Sequence, residues 1–279
     1  MQRCTKCGPG RHFFRIALII ALLGCELLTS CKKKSTPIDI PAYNNISSPQ
    51  NAATKPDESA WPRPRSVERA AERKQMVEYI RRVYGLDNPA VLEALKNVPR
   101  HWFVPESRQS LAYSDTPLPI GYDQTISQPF IVAYMTSLLE LTPDKKVLEV
   151  GTGSGYQAAV LAELTPHVYT IEIIEPLART TREKLKQLGY ETIEVKIGDG
   201  YQGWHRHQPF DAMIVTCAPD HVPQPLLDQL KPGGRIVIPV GDVFRVQNLV
   251  LIRKDREGNI NRESLMPVRF VPLIRDPTP

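Results

Sequence analysis

The positions of apolar residues along the chain first predict two helices, beginning shortly after Ser66. Met76 and Ile80 lie about one helical turn apart, and the spacing around them predicts an amphipathic helix over Ala70–Tyr84. An asparagine followed by a proline, Asn88-Pro89, is typical of a helix N-terminus, and the apolar residues after it predict a second helix. These two helices are expected to form a lid or packing layer over the rest of the domain.

Beyond Asp144, short apolar runs alternate with segments of helical period. Alternation of this kind predicts a mostly parallel sheet with helices on both faces, a Rossmann-like α/β arrangement in which ligands bind at the carboxyl ends of the strands. Two final apolar runs, separated by turn-forming residues, predict a closing hairpin. The predicted strands are Val147–Val150, Val168–Ile173, Ile193–Ile197, Ala212–Thr216, Arg235–Val240, Leu249–Arg253 and Val268–Leu273, and the predicted helices are Tyr156–Leu164, Pro176–Leu188 and a turn around Leu226–Leu230.

The first 65 residues have a different character. Basic residues precede the apolar run Ile16–Leu23, which is too short to span a bilayer and has the length of a signal-peptide core. The sequence Leu28–Cys31 resembles a bacterial lipobox, in which Cys31 would carry the lipid. A misplaced start codon or an uncleaved apolar tail would be the alternative explanation. Residues 32–65 are rich in Pro, Ser, Asn and Lys without an apolar period, so they predict a disordered linker.

We therefore divide the chain into a signal-like segment at residues 1–31, a linker at 32–65 and one domain at 66–279. Within the domain, residues 66–143 hold the N-terminal helices and a proline-rich loop, and residues 144–279 hold the α/β core. The length of 279 residues is sufficient for one such core with a tail to spare.

Charge and cysteine content exclude several classes of protein. The net charge of +5 is modest, and no stripe of basic residues interleaved with aromatic residues is present, so nucleic acid is not an expected partner. Of the five cysteines only Cys217 lies in the domain, so the core is expected to contain no disulfide. Cys4 and Cys7 form a C-x-x-C pair, but no second pair completes a zinc site, and no metal is expected.

Three spaced glycines carry the clearest chemical signal. Gly151, Gly153 and Gly155 follow a predicted strand and open a helix. Glu172 lies about 20 residues later, at the end of the next strand, where a carboxylate can accept hydrogen bonds from ribose hydroxyls. The spacing differs from the dinucleotide fingerprint, and Glu149, just before the loop, would repel a phosphate. A nucleoside cofactor with a positive ammonium group fits better, and S-adenosylmethionine is the candidate.

Each predicted cofactor residue has a structural alternative. The glycines could serve only a tight turn, and Glu172 could be a solvated charge at an open strand end. Asp199 is placed to accept a hydrogen bond from an adenine amino group, or it forms a plain Asp-Gly turn with Gly200. Glu149 lies either near the cofactor's ammonium group or behind the residues that contact it. The predicted cofactor-binding residues are Glu149, Gly151, Gly153, Gly155, Glu172, Asp199 and Gly200.

Residues 112–135 form the second informative segment. By composition the segment is a proline-rich loop that leads into a helix, with Ile131 and Met135 on one face. Ser127 lies two residues ahead of Pro129 and could be the N-cap of that helix, accepting a hydrogen bond from a first-turn amide. Composition by itself therefore favours a structural role for Ser127.

The Thr-Ile-Ser-Gln-Pro sequence of Thr125–Pro129 resembles the hallmark of protein-L-isoaspartate (D-aspartate) O-methyltransferases. Further blocks resemble the same family in the expected order between residues 66 and 275. The resemblance implies a class I methyltransferase fold, S-adenosylmethionine as methyl donor, and isoaspartyl-containing proteins and peptides as acceptors. This chain departs from the family pattern in its first 65 residues and at Tyr122-Asp123, where relatives commonly have small or basic residues. The matching blocks are Val147–Leu164, Gly198–Trp204, Phe210–Pro219, Leu230–Gly241 and Pro267–Leu273.

The implied reaction needs no catalytic base. The isoaspartyl carboxylate, with an expected pKa of about 3.5 to 4, is already ionised at neutral pH and is therefore a nucleophile. By resemblance, the Ser127 hydroxyl donates to that carboxylate and holds it, while Thr125 and Ile126 position the acceptor. The histidines of the domain, His101 among them, are interpreted as surface or loop residues.

Two other functions stay open at this point. One is a class I methyltransferase for another carboxylate or a small molecule, and the other is a lipid-anchored relative that keeps the fold without catalysis. Because the methyl donor is a cytoplasmic metabolite, we expect the enzyme to work in the cytoplasm. We also expect it to be a monomer. The alternative is an exported protein anchored through Cys31, and only then is contact with a membrane expected.

Overall fold

The computed structural model describes residues 61–242 and 245–275, so the signal-like segment and most of the predicted linker lie outside the described residues. Among the described helices, none is both long enough and apolar enough to cross a bilayer. The helices are α1 (Ala70–Tyr84), α2 (Pro89–Asn97), α3 (Pro129–Leu138), α4 (Tyr156–Ala162), α5 (Glu175–Gln187) and α6 (Gln224–Asp228), with short 3-10 helices at Arg100–Phe103, Glu106–Leu111, Gly200–Gln202 and His205–His207. The strands are β1 (Leu118–Gly121), β2 (Gln124–Ile126), β3 (Val147–Val150), β4 (Val168–Glu172), β5 (Ile193–Ile197), β6 (Phe210–Val215), β7 (Leu230–Val240), β8 (Gln247–Lys254) and β9 (Ile260–Val268).

Seven strands form one sheet in the order β5-β4-β3-β6-β7-β8-β9. The pairs from β5 to β7 are parallel, whereas β7 with β8 and β8 with β9 are antiparallel. This arrangement confirms the predicted mostly parallel sheet with a C-terminal hairpin. The chain runs outward from β3 through β4 and β5 and then returns to the other side of β3 at β6. Connections therefore diverge at the carboxyl end of β3, which is where open α/β sheets bind ligands.

Both faces of the sheet are covered. Along β3, Val147 belongs to a hydrophobic cluster that includes residues of α1 to α4, and Leu148 belongs to a second cluster that includes Leu226 of α6. Because successive side chains of a strand point to opposite faces, a strand buried on both sides has a continuous apolar sequence. All four residues of β3 are buried accordingly.

The N-terminal helices follow local sequence rules. Helix α1 has the predicted bounds, and the Asn88 side chain caps α2 by accepting the Val91 backbone N–H at 3.2 Å. Helix α3 differs from the prediction of a single apolar face, because all of its residues except Tyr134 are buried. It contacts both α1 and α2 and is an inner element of the fold.

The proline-rich segment contains a hairpin in place of the expected loop. Strands β1 and β2 pair antiparallel and are joined by Tyr122 and Asp123, whose φ angles are 53° and 56°. Two consecutive residues in the left-handed region are typical of a type I′ turn, which is usually indicated by Asn-Gly or Asp-Gly. The sequence Tyr-Asp lacks that indication, so local turn rules do not predict this hairpin.

The prediction of a last strand at Val268–Leu273 is wrong. Strand β9 instead begins at Ile260, which pairs with Lys254 across the turn, because an antiparallel partner follows a short turn directly. Residues after β9 leave the sheet edge, and Pro272 forms an isolated parallel bridge with Ala218 near the carboxyl end of β6. The chain end thereby returns to the part of the sheet where ligands bind.

The predicted boundary between linker and domain also needs correction. Trp61 is only 6% exposed, and its indole N–H donates to the Ala162 carbonyl oxygen at 2.8 Å. Arg65 forms an ion pair with Glu163 at 3.0 Å. Residues 61–65 therefore pack on α4 and its C-terminus, although their Pro- and Arg-rich composition predicts a continuation of the linker.

Candidate active site

A cleft of about 710 Å³, open to solvent, lies at the carboxyl ends of the central parallel strands. Its walls come from β3 and β4, from the two residues after β6, from β2, and from residues 271–274 after the final hairpin. The cleft thus brings together most of the residues predicted from the two chemical blocks. Those that line it are Thr125, Ile126, Ser127, Glu149, Gly151, Gly153, Glu172 and Gly200.

The loop after β3 requires glycine for steric reasons. Gly151 has a φ of 98°, and a Cβ at this position would lie 2.5 Å from Thr216 Oγ1. The Thr216 hydroxyl donates to the Gly151 carbonyl oxygen at 2.7 Å and holds the loop against the end of β6. Gly153 faces the hairpin, with Ile120 Cδ1 3.5 Å from the position of a Cβ. The glycine loop therefore passes close beneath the cleft, as a bound nucleoside cofactor requires.

Gly155 and Asp199 do not line the cleft, unlike the other predicted cofactor residues. Gly155 has a φ of 86°, and its Cβ would lie 2.9 Å from Thr181 Cγ2, so this glycine allows the start of α4 to pack against α5. Asp199 caps a 3-10 helix by accepting the Tyr201 backbone N–H at 2.8 Å. Its Oδ2 has no hydrogen-bond partner in the described part of the chain. Gly200, beside it, faces Val150 so closely that a Cβ would lie 2.3 Å from Val150 Cγ1.

Glu172 is held in place by the backbone. Its Oε2 accepts the Gly153 N–H at 2.9 Å, and its Oε1 accepts the Ile174 N–H at 3.0 Å. The residue is 6% exposed, which corrects the alternative of a solvated charge at an open strand end. Each carboxylate oxygen keeps a further lone pair, so the group can still accept hydrogen bonds from two hydroxyls.

Glu149 is a fully buried carboxyl group at the floor of the cleft. The Thr170 hydroxyl donates to Oε2 at 2.6 Å, whereas Oε1 has no hydrogen-bond partner among the described residues. Burial, with the nearby charge of Glu172 adding to it, raises the pKa of Glu149 to about 8. An unpaired buried carboxyl oxygen is costly, and a cationic group in the cleft would remove that cost. The site therefore suits a ligand with a positive charge close to Glu149.

Ser127 follows β2 directly and lines the cleft. Its hydroxyl has no hydrogen-bond partner within the described structure. Helix α3 has Gln128 as its N-cap residue without a side-chain cap bond, and the Phe130 N–H donates instead to Asp115 Oδ1 at 2.9 Å. The interpretation of Ser127 as a helix cap is therefore wrong.

Sequence reasoning missed two residues that hold this segment. Arg100 is 0% exposed and donates from Nη2 to the Ser127 carbonyl oxygen at 2.7 Å. Asp115 accepts from the Gln128 side chain at 2.8 Å in addition to Phe130. Neither residue lies in a recognisable motif. Only the three-dimensional contacts across the chain identify them.

The histidine prediction needs one correction. His101 is 6% exposed; its Nδ1 lies 2.7 Å from the Tyr113 hydroxyl and its Nε2 lies 3.0 Å from Glu68. It is a buried structural residue outside the cleft. Among the described residues that line the cleft there is no histidine, lysine or arginine. Within residues 61–242 and 245–275, no group of three His, Cys, Asp or Glu residues is arranged to hold a metal ion, and Cys217 is a free thiol.

Comparisons with known proteins agree on one family. Residues 71–277 match the family described as "Protein-L-isoaspartate(D-aspartate) O-methyltransferase". Protein-L-isoaspartate O-methyltransferase 2 of Syntrophobacter fumaroxidans is 58% identical over 186 residues, which is 67% of this chain and 75% of that protein. Protein-L-isoaspartate O-methyltransferase of Picosynechococcus is 56% identical over 203 residues, 73% of this chain and 90% of that protein.

The fold is similar to a solved structure as well. A Plasmodium falciparum protein assigned as a protein-L-isoaspartate O-methyltransferase, in complex with S-adenosyl-L-homocysteine, aligns with a TM-score of 0.63 at 25% identity. The alignment covers 73% of this chain and 99% of that chain. The part of this chain that is similar to known proteins therefore corresponds to the domain that contains the cleft.

Proposed function

Because this chain belongs to the protein-L-isoaspartate(D-aspartate) O-methyltransferase family, we propose that its cleft is the active site and that Ser127 holds the acceptor carboxylate there. The protein is an S-adenosylmethionine-dependent repair methyltransferase, and it acts on the free carboxylate of isoaspartyl and D-aspartyl residues in damaged proteins and peptides. One observation supports the assignment to the cleft above others. The Ser127 hydroxyl and Glu149 Oε1, neither of which has a hydrogen-bond partner among the described residues, line the same cavity, and the first suits an anion whereas the second suits a cation.

The acceptor needs positioning and no base. Its carboxylate is ionised at neutral pH, and the Ser127 hydroxyl donates a hydrogen bond to one carboxylate oxygen, which leaves the other free to attack. Thr125 and Ile126, on β2, form the wall beside it. Holding two reactants in line can contribute roughly 7–11 kcal/mol in favourable cases, so geometry is sufficient as the main source of rate.

Three polar groups of the chain fit the methyl donor, S-adenosylmethionine. Glu172 would accept from the ribose hydroxyls, and Glu149 would pair with the ammonium group. Asp199 does not line the cleft but lies beside Gly200, which does, and its Oδ2 would be the acceptor for the adenine amino group. Gly151 and Gly153 permit close approach of the backbone, and Gly200 lets the chain pack against Val150 at the edge of the cleft. When bound, the donor supplies the methyl group, and its positive charge is lost together with the acceptor's negative charge. A cleft that excludes water favours that neutralisation.

We also propose that the enzyme works as a monomer in the cytoplasm, where the methyl donor is made. The competing possibility is an exported protein anchored through Cys31, which lies outside the described residues. Fractionation of the native host, with mass spectrometry of the mature N-terminus, separates these cases. A chain that begins at a diacylated Cys31 in the membrane fraction would overturn the cytoplasmic proposal.

The function is tested by comparing two peptides with the full chain. One peptide carries an isoaspartyl residue, and its twin carries a normal aspartyl residue at the same place. We expect radiolabel from S-adenosylmethionine to enter the first peptide and not the second, because only isoaspartate presents the α-carboxylate that the cleft receives. Equal labelling of both peptides, or labelling of neither, would contradict the proposal.

A further inference from the structure

Arg100 is a buried cation without an ionic partner. It is 0% exposed, and no carboxylate in the described structure lies within ion-pair distance of it. Burial lowers the pKa of its guanidinium to about 10, so the group stays charged at neutral pH. Its Nη1 has no hydrogen-bond partner among the described residues. A buried charge outside an ion pair is destabilising, and the charge of Asp115 offsets this cost only from beyond ion-pair distance.

Arg100 contacts two residues that line the cleft, Ser127 and Tyr156. Nη2 donates to the Ser127 carbonyl oxygen at 2.7 Å, and Nε donates to the Ala112 carbonyl oxygen at 2.9 Å. The guanidinium carbon lies 4.9 Å from the centre of the Tyr156 ring, within the range of a cation–π contact. Ser127 and Tyr156 both line the cleft, although Arg100 does not. A planar guanidinium holds such contacts at fixed angles, which a lysine ammonium cannot do.

We propose that Arg100 is a positioning residue for the acceptor carboxylate: it fixes the Ser127 backbone, and its buried charge, which forms no ion pair in the described structure, favours an anion beside Ser127. This inference rests on the proposed role of Ser127. The hydrogen bond from Nη2 reaches the carbonyl oxygen, which leaves the Ser127 hydroxyl free for the acceptor. The charge acts through the protein interior, where electrostatic attraction is less screened than in water. The charge of Arg100 thus favours binding of the acceptor carboxylate, and its hydrogen bond to Ser127 favours alignment of that carboxylate for the reaction.

The test compares Arg100→Gln and Arg100→Lys in the full chain, with Arg73→Gln as the matched control. Arg73 is 4% exposed and donates to the Ser66 carbonyl oxygen, so the control also removes a buried arginine from a backbone contact. Each variant is measured for kcat and KM with an isoaspartyl peptide, for S-adenosylhomocysteine affinity by calorimetry, and for melting temperature.

Separate effects on binding and turnover are expected. Arg100→Gln should lower kcat/KM for the peptide by about ten- to a hundredfold, the usual range for a lost hydrogen bond to a charged group, with cofactor affinity unchanged. Arg100→Lys keeps the charge and should restore KM, while kcat stays low because Ser127 is held less firmly. Arg73→Gln should lower the melting temperature and leave both constants unchanged. If Arg100→Gln does not fold, a lower kcat at an unchanged KM in Arg100→Lys remains the deciding result.

A second background distinguishes failure of this inference from failure of the proposed function. In a Ser127→Ala chain, Arg100→Gln should cause no further loss, since two residues that act as a unit are not additive. If Ser127→Ala itself has no effect on turnover, the proposed role of Ser127 fails, whereas the proposed function fails only if the isoaspartyl peptide is not labelled by the unaltered chain. If Ser127→Ala lowers turnover but Arg100→Gln lowers it by the same factor in both backgrounds, Arg100 acts independently and the inference is overturned. Equal losses of kcat/KM in Arg100→Gln and Arg73→Gln would overturn the inference too.

Discussion

The Asp115 carboxylate accepts the backbone N–H of Phe130 at 2.9 Å, across 15 positions of the chain. The other oxygen of the same carboxylate accepts from the Tyr84 hydroxyl at 2.7 Å and from the Gln128 side chain at 2.8 Å. The start of α3 is therefore stabilised by a residue that does not line the cleft. Ser127, two residues before this helix, has a hydroxyl without a hydrogen-bond partner in the described structure. The contacts that stabilise the helix start therefore do not involve the Ser127 hydroxyl.

The first prediction concerns Ser127→Ala. Turnover with an isoaspartyl peptide should fall about ten- to a hundredfold, because a hydrogen bond to a charged acceptor is worth roughly 1.5–3 kcal/mol. Affinity for S-adenosylhomocysteine and the melting temperature should not change, since the hydroxyl has no partner in the described protein. Steady-state kinetics, calorimetry and thermal unfolding provide the three measurements.

Asp115→Ala is the matched control for that prediction. Loss of a helix cap typically costs about 1 kcal/mol, and the Gln128 and Tyr84 side chains lose their acceptor as well. We expect this variant to have a lower free energy of unfolding in urea. A marked loss of stability in Ser127→Ala, with normal turnover per folded molecule, would return Ser127 to a purely structural role.

The second prediction is that Glu172→Gln weakens cofactor binding. An amide has only one acceptor oxygen, so it cannot accept from Gly153, Ile174 and two ribose hydroxyls together. Calorimetry with S-adenosylhomocysteine measures the effect. Glu175→Gln is the control, because that carboxylate is exposed and pairs with Arg179 on the surface of α5. Unchanged affinity in Glu172→Gln would remove this residue from the ribose site.

The third prediction concerns pH and Glu149. Its pKa is raised from an ordinary 4.5 to about 8 in the folded protein. Between these two values the folded chain holds a proton that the unfolded chain releases. The free energy of unfolding should therefore fall as pH rises through this interval, and the stabilising contribution is present in full only below the lower value. Glu149→Gln should flatten that part of the profile in a series of urea titrations.

The same residue makes cofactor binding dependent on protons. If the ammonium group pairs with Glu149, binding at neutral pH should release a proton from its carboxyl group, because a nearby positive charge lowers the pKa of an acid. Calorimetry in two buffers of different ionisation enthalpy measures this release, and it should vanish in Glu149→Gln. Equal proton release in both proteins would show that Glu149 does not pair with the cofactor.

The fourth prediction concerns Trp61. Replacing a buried tryptophan by alanine costs about 3–5 kcal/mol in a core, and a value near the lower end is expected because Trp61 packs at the edge of the domain. Urea unfolding of Trp61→Ala measures the loss, and kcat and KM should not change. Unaltered stability would support a domain that begins at Ser66, with the linker continuing to residue 65.

Local patterns in the sequence are sufficient for most elements of the fold. Helix α1 and strands β3 and β5 have the predicted bounds, because the spacing of apolar residues in a helix or strand is a local consequence of burial. The glycine loop indicates one wall of the cleft from the order of residues, whereas the Thr125–Pro129 motif indicates the other only through its resemblance to a known family. The hairpin at Tyr122-Asp123 escapes such rules because its turn lacks the residues by which turns of this type are usually recognised.

Only the tertiary structure decided which side chains meet at the cleft. Gly155 belongs to the packing of α4 on α5 although it shares the motif of Gly151, because a neighbour distant in sequence occupies the space beside it. Arg100 reaches Ser127 across 27 positions, and no local period or motif encodes such a contact. Secondary structure follows from neighbours along the chain, whereas hydrogen-bond partners, burial and unpaired charges depend on elements that meet only after folding.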